Sequence, residues 1–224
     1  MAPGPDPSIN GLRFVVTAGG TREPIDPVRF IGNRSSGKMG NALASAALRH
    51  GATVTLVTAA AAPPEQPGLD VVPVETAAEM YDAVRTALVG ANVLIMAAAV
   101  ADWRPRDVAS NKLKKGAAET MTLDLVPAVD ILRALRDDDV AAGVFRVGFA
   151  AETEHMLDNA KEKLDAKRLD LIVVNDVSRQ DIGMGADHNE VTVIDRDGVA
   201  QAIDRAPKAD VADAIVRIIA SRLR

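Results

Sequence analysis

The 224-residue sequence contains no cysteine, which excludes disulfide bonds, thiolate metal sites and a cysteine nucleophile. Aromatic residues make up only 3% of the chain, so a buried core must consist mainly of alanine, valine, leucine and isoleucine. The formal net charge of −5 lacks the basic excess of general nucleic-acid binders, and we expect no nucleic-acid partner. The absence of cysteine fits a reducing compartment, and we predict a cytoplasmic protein.

No apolar run is long enough to cross a bilayer, because polar residues interrupt the longest candidates, so we expect no membrane partner. Residues 1–11 are rich in proline and lack the basic and apolar regions of a signal peptide. We interpret them as a flexible tail or a linker remnant. Residues 12–224 suffice for one α/β domain, and the 25% share of charged residues is that of an ordinary globular protein.

Short apolar segments alternate with helical patterns along the chain. The strands are expected at 12–17, 53–58, 71–74, 93–98, 121–125, 144–149, 171–175 and, as a hairpin, 191–195 and 199–203. The helices are expected at 37–50, 76–88, 127–135, 153–167 and 209–222, and Thr76 with Glu79 forms a capping box. This order predicts an α/β fold, a Rossmann-like, mostly parallel sheet flanked by helices with a small antiparallel addition.

In such sheets ligands bind beyond the carboxyl ends of the strands. Informative residues should therefore follow Thr17, Ala98, Phe149 and Asn175, which end four of the predicted strands or lie next to their ends. Asp102 comes directly after the strand that reaches Ala98, and either a helix cap or a functional carboxylate explains an aspartate there.

Residues 32–39, GNRSSGKM, match most of the P-loop pattern G-x-x-x-x-G-K-[ST]. Met39 replaces the hydroxyl residue that would contact Mg²⁺, and the segment does not follow the first strand directly. Both departures argue against a true P-loop. Ser35, Ser36 and Gly37 nevertheless fall at a predicted helix start, where N–H groups and the helix dipole attract phosphate, and Lys38 adds a positive charge. An ordinary serine N-cap explains the segment equally well.

Basic side chains occur in three further segments. The arginines of residues 22–34 fit either an ordered cradle for an anion or a solvated loop. Residues 112–115, KLKK, lie in the one long loop, 101–119, where they could close a site or simply face solvent. Lys163 and Lys167 share one helix face and repel each other. Because Lys163 has no acid three or four residues away, a bound anion or solvent must relieve that repulsion.

Five stretches together resemble phosphopantothenoylcysteine synthetase, the ligase domain of bacterial bifunctional coenzyme A biosynthesis proteins. They are TAGGTREPIDPVRFIGNRSSGKMG (17–40), AAAVADWRP (97–105), KLKK (112–115), VGFAAET (147–153) and DLIVVND (170–176). The stretches fall in the family's order, and the resemblance runs from Leu12 to the C-terminus.

The resemblance implies a ligase that joins 4′-phosphopantothenate and L-cysteine with CTP. An acyl cytidylate would form first, and the products would be phosphopantothenoylcysteine, CMP and pyrophosphate. Mg²⁺ would accompany CTP, with protein ligands that the resemblance does not name, and the chain would form a homodimer. In the family an N-terminal flavin-dependent decarboxylase commonly precedes this domain, so we expect this chain to hold no flavin and to ligate without decarboxylating.

The resemblance also implies roles for individual residues. Asn33 would hold the acyl intermediate, Lys112 would close over it and assist its formation or cleavage, and Arg29 would reach phosphopantothenate across the dimer interface. Ala98 and Asp102 would line both the nucleotide and the pantothenate site. The further nucleotide contacts would be Ser35, Ser36, Gly37, Lys38, Met96, Ala97, Lys112, Phe149, Lys163, Lys167 and the segment Val129, Asp130, Ile131 and Leu132, where relatives often read Pro-Asp-Ile-Val.

Two other functions compete with the ligase. A Rossmann-like nicotinamide- or flavin-dependent oxidoreductase would need features that the sequence lacks, because G-x-G-x-x-G is absent and Tyr81 is followed at the fourth position by Arg85 rather than lysine. A non-catalytic nucleotide-binding module would bind CTP without releasing pyrophosphate.

Overall fold

The computed structural model describes residues 7–115, 120–152, 156–176 and 185–223. Two short 3-10 helices lie at Pro7–Ile9 and Asp139–Ala141. The other elements are, in chain order, β1 (Arg13–Ala18), β2 (Arg22–Pro24), β3 (Phe30–Gly32), α1 (Lys38–Arg49), β4 (Thr53–Thr58), β5 (Leu69–Pro73), α2 (Ala77–Ala87), β6 (Val93–Met96), β7 (Trp103–Pro105), β8 (Leu125–Pro127), α3 (Ile131–Ala134), β9 (Phe145–Glu152), α4 (Met156–Ala166), β10 (Leu171–Asp176), β11 (His188–Asp195), β12 (Gly198–Pro207) and α5 (Lys208–Arg222).

Eight strands form one sheet in the order β12-β11-β10-β9-β6-β1-β4-β5. Six of these strands run parallel, namely β10, β9, β6, β1, β4 and β5. Strands β11 and β12 extend the sheet beyond β10 as an antiparallel hairpin. Two small antiparallel pairs, β2 with β3 and β7 with β8, stand outside it. The predicted fold class is confirmed.

Both faces of the sheet are buried, which explains why its inner strands are nearly continuous apolar runs. Phe14 and Val16 of β1 face the layer of α1 and α5, whereas Val15 between them faces α2 and α3. Helix α4 covers the part of that second face formed by β9, β10 and β11. Ile9 is fully buried in the first layer, three residues before the predicted start of the domain.

Three predicted elements differ in the structure. The strand predicted at 121–125 is wrong, because pairing starts only at Leu125, where β8 meets β7. The helix predicted at 127–135 shrinks to the short α3, because Pro127 still belongs to β8 and Asp130 caps the helix. Residues 22–34, expected to form an ordered or solvated loop, contain the β2–β3 hairpin.

Parts of two predictions lie outside the described residues, namely residues 153–155 at the start of the predicted fourth helix and 116–119 at the end of the long loop. Within the described ranges, no helix has the length and apolar character that a bilayer crossing requires.

Candidate active site

A cavity of about 570 Å³ opens at the carboxyl edge of the sheet, where β1 and β6 lie side by side. The chain leaves β1 toward β4 and β5 on one side, and β6 leads to β9 and β10 on the other, so the strand order reverses here. The Ala99 N–H donates to the Gly19 carbonyl at 2.8 Å and holds the two segments together beyond the strand ends. The cavity therefore occupies the position at which such sheets bind ligands.

Residues from separate segments of the chain meet in this cavity. Of the residues that the resemblance implicated, those lining it are Asn33, Ser35, Ser36, Gly37, Lys38, Met96, Ala97, Ala98, Asp102, Val129, Asp130, Ile131, Leu132, Phe149, Lys163 and Lys167. Arg29 and Lys112 do not line it. Both lie in a neighbouring region, where the turn between β2 and β3 contacts the segment of residues 109–113.

The start of α1 carries no side-chain cap. Its N-cap is Gly37, with a left-handed φ of 78°, so the alternative of an ordinary serine N-cap is wrong. A Cβ at residue 37 would lie 2.7 Å from the Cβ of Ala60, so only glycine lets the chain pass this closely. The first N–H groups of the helix, together with its dipole, are therefore available to an anion in the cavity.

Lys38 is held by the segment that leads into β11. Its ammonium group donates to the Asp187 carboxylate at 2.6 Å and to the Gly185 carbonyl at 3.1 Å. The hydrogen bond from Lys38 is the main reason that the pKa of Asp187 lies below its ordinary value. A phosphate that binds Lys38 must compete with this carboxylate.

Asn33 is anchored through its side-chain nitrogen. Its Nδ2 donates to the carbonyl oxygens of Ala99 at 3.3 Å and of Val100 at 3.1 Å, just beyond β6. A Cβ at Gly20 would lie 2.6 Å from the Asn33 carbonyl oxygen, so the glycine allows the two backbones to approach. The amide side chain is thereby fixed at the cavity wall.

Lys167 has a partner that local sequence spacing could not show. Its ammonium group lies 2.9 Å from the Asp130 carboxylate, which also caps α3. The expectation that only solvent or a bound anion relieves the repulsion between Lys163 and Lys167 is therefore wrong for Lys167. The Asp130 carboxylate comes from a segment 37 residues away.

Lys208 is a cavity residue that the sequence analysis missed. It is only 8% exposed, lines the cavity and donates to the Ala186 carbonyl at 2.5 Å. Burial, and secondarily the charge of Lys38, lower the pKa of its ammonium group. A lysine as the first residue of α5 opposes the helix dipole, and this unfavourable placement is the signal that could have found it.

Residues 9–223 match the family model described as DNA/pantothenate metabolism flavoprotein C-terminal domain. The coenzyme A biosynthesis bifunctional proteins CoaBC of Mycolicibacterium smegmatis and Bacillus subtilis are each 44% identical to this chain. The matches cover 96% and 95% of this chain but 54% and 52% of those proteins, so the chain spans about half the length of these curated relatives. The crystal structure of the C-terminal domain of a CoaBC protein superimposes with a TM-score of 0.78 at 36% identity, covering 97% of this chain and 98% of that one. The chain therefore belongs to the DNA/pantothenate metabolism flavoprotein C-terminal domain family.

Proposed function

We propose that this chain is the ligase that joins 4′-phosphopantothenate and L-cysteine with CTP in coenzyme A biosynthesis. The observation that carries the proposal is the cavity, which places an uncapped helix start and four lysines beside the Asn33 amide. The lysines are Lys38, Lys163, Lys167 and Lys208. The 44% identity to CoaBC proteins over nearly the whole chain supports the same assignment.

The reaction must bring two anions together. A carboxylate oxygen of phosphopantothenate forms a bond to the α-phosphorus of CTP, and the bond from that phosphorus to the bridging oxygen breaks, so pyrophosphate leaves. The cysteine amine then attacks the acyl carbon of the acyl cytidylate, loses a proton and expels CMP. Preorganised positive charge is the main aid that a protein gives to phosphoryl and nucleotidyl transfer.

The residues divide this work by position. The amide groups at the start of α1 and the Lys38 ammonium group would hold phosphate oxygens. The C-terminal half of the chain adds three lysines to the same cavity, Lys163, Lys167 and Lys208. Their positive charges would offset the remaining negative charge of the two substrates. Asn33 would contact the acyl phosphate, and Lys112 would approach from the segment outside the cavity.

Mg²⁺, which the resemblance implies, would neutralise phosphate charge and orient the triphosphate. Among the described residues, no three His, Cys, Asp or Glu side chains cluster as a metal site. Among the residues that the structure describes, the carboxylates that line the cavity are Asp102 and Asp130, and Asp130 is paired with Lys167. This donor set fits a cation that keeps most of its waters and binds through the triphosphate, with Asp102 as its protein ligand.

A pyrophosphate-release assay on the purified chain tests the proposal. Release should require CTP, Mg²⁺ and phosphopantothenate, and mass spectrometry should detect phosphopantothenoylcysteine only when cysteine is also present. CTP binding without pyrophosphate release would instead identify a non-catalytic module. A nicotinamide or flavin absorbance in the purified protein would favour the oxidoreductase. Replacing CTP by ATP measures the base preference.

Asp187→Asn should strengthen nucleotide binding, because it removes the carboxylate that competes for Lys38. We expect the Kd for CTP, measured by calorimetry, to fall about two- to fivefold, the scale of an exposed ion pair. The control is Asp197→Asn, which removes one negative charge, as Asp187→Asn does, but at the distant turn between β11 and β12. It should leave the Kd for CTP unchanged. Weaker binding by the Asp187 variant would contradict competition for Lys38.

The homodimer has a candidate surface on the two small hairpins. We call this surface the hairpin patch, and it comprises the exposed side chains Val28, Phe30, Trp103, Val108, Leu113, Met121 and Leu125. Strands β2 and β7 contact each other, which brings the two small pairs side by side. Exposed apolar side chains grouped on one surface favour an interaction site. Arg29 lies within it between Val28 and Phe30, where it would reach the site of a second copy.

Phe30→Glu should therefore weaken dimerisation. In light scattering the wild-type chain should have twice its monomer mass, and burial of the introduced charge should raise the dimer dissociation constant at least tenfold. Val199→Glu, which alters an exposed valine on β12, is the matched control and should leave the mass unchanged. A monomeric wild type would refute the dimer, and a dimeric Phe30 variant would place the interface elsewhere.

The full-length protein would carry the flavin-dependent decarboxylase before this domain, in keeping with the bifunctional relatives. The cytoplasmic location stays a prediction from the cysteine-free sequence.

A further inference from the structure

Asp26 is a buried carboxylate at the turn between β2 and β3. Its side chain has no exposed surface, and its Oδ1 accepts from the N–H groups of Val28 at 2.8 Å and of Arg29 at 2.9 Å. Its Oδ2 accepts from Arg29 Nε at 2.9 Å, from Arg29 Nη2 and from the Leu113 N–H at 3.1 Å. The Arg29 guanidinium group is the main reason that the pKa of Asp26 lies far below its ordinary value, so the carboxylate is ionised at neutral pH.

The Leu113 peptide is held from both sides by this pair. Its N–H donates to Asp26, and its carbonyl accepts from Arg29 Nη2 at 2.6 Å. The next bond along the same segment joins the Ala109 N–H to the Ile25 carbonyl at 3.0 Å. Residues 109–113 have no helix or strand of their own, so these contacts fix the backbone next to Lys112.

We propose that Asp26 is a positioning residue that fixes Lys112 and Arg29 relative to each other. The inference rests on the proposed function, because only the proposed function gives Lys112 and Arg29 their roles in ligation. Lys112 is exposed and directly precedes Leu113, whose backbone is held by Asp26 and Arg29. The flexible Lys112 side chain therefore extends from a backbone position that is fixed. Arg29 keeps its Nη1 hydrogens without a hydrogen-bond partner among the described residues, so Asp26 orients a guanidinium group that can still bind an anion.

This arrangement predicts the effect of removing the charge. Asp26→Asn keeps the shape of the side chain but replaces one acceptor oxygen by a donor and removes the ion pair with Arg29. A misplaced catalytic group costs about 100-fold in rate, and we expect kcat to fall by that order while KM for CTP changes less than threefold. The matched control is Asp124→Asn, which removes an exposed ion pair with Arg106 at the base of the same long loop and should change kcat less than twofold.

Two measurements separate positioning from a general structural effect. Hydrogen exchange of residues 108–115 in the ligand-free chain should be faster in Asp26→Asn, whereas exchange in α1 and in the Asp124 variant should match the wild type. In a double-mutant cycle, the combined loss of Asp26→Asn and Lys112→Gln should be clearly smaller than the sum of the two single losses, because part of the effect of Asp26→Asn passes through Lys112. If Asp26→Asn does not fold, Leu113→Pro removes the same N–H donor from the exposed segment, and it should also speed exchange and lower kcat.

Full additivity of the two losses, unchanged exchange at 108–115, or a Lys112→Gln enzyme with normal turnover would overturn the proposal. A wild-type chain without ligase activity would refute the proposed function instead. In that case the exchange experiment still decides whether Asp26 holds the segment.

Discussion

Asn33→Asp should reduce kcat/KM for ligation by about 100-fold, the cost of a group that is displaced at the reacting centre. Asn33 lines the cavity, and its Nδ2 is anchored on the carbonyls of Ala99 and Val100. Aspartate cannot donate to these carbonyls, and it places a negative charge beside the phosphate and the acyl group. Both consequences oppose formation of the acyl cytidylate, so pyrophosphate release should fall with product formation.

The fold should tolerate this change. Asn33 is exposed, so water can replace its two hydrogen bonds to the Ala99 and Val100 carbonyls. The free energy of unfolding should fall by no more than about 1 to 2 kcal/mol, which thermal unfolding can check. Asn92→Asp makes the same change at the opposite edge of the sheet and keeps the oxygen that accepts from the Arg13 N–H at 2.9 Å. We expect near-normal activity from that control. An active Asn33 variant would remove Asn33 from the mechanism.

Lys112→Gln should lower kcat by about 100-fold and leave CTP binding nearly unchanged. The side chain is exposed and lies outside the nucleotide cavity, so its loss should not alter the ground-state contacts of CTP. A neutral amide of similar length removes the charge that would stabilise the transition state. Single-turnover measurements of pyrophosphate release would separate this effect on chemistry from one on product release.

Lys114→Gln is the matched control, because Lys114 is also exposed and lies on the other side of the held Leu113 peptide. Its turnover should remain within twofold of wild type. An equal loss from both variants would mean that the loop contributes general positive charge rather than one positioned lysine. Lys112→Arg, which keeps the charge, should recover part of the activity.

Local signals in the sequence predicted most of the elements correctly. Strand β4 spans the predicted residues, and α2 begins where Thr76 and Glu79 form both hydrogen bonds of the capping box. Such signals lie within a few residues, so no distant contact is needed to interpret them. Small elements were harder, because the pairing of β8 with β7 depends on a partner about twenty residues away rather than on its own pattern.

The location of the cavity was also predictable, because parallel strands bring their carboxyl ends to one edge. The residues just after β6 and within β9 and β10 therefore had to meet there, as Ala98, Phe149 and Asn175 do. The motif around Gly37 identified a helix start. It did not show that glycine rather than serine is the cap, since that choice depends on the approach of Ala60.

The sequence by itself determined the order of the strands and helices of the main sheet, the binding edge and the family, because periodicity and motifs are properties of neighbouring residues. Only the tertiary structure decided which charges are paired. Asp130 meets Lys167, Asp187 meets Lys38, and Asp26 holds a peptide 87 residues away. The physical reason is that the energy of a charged group depends on its distance to opposite charges and on its burial. The fold sets both quantities, and it does so through residues that are far apart in the chain.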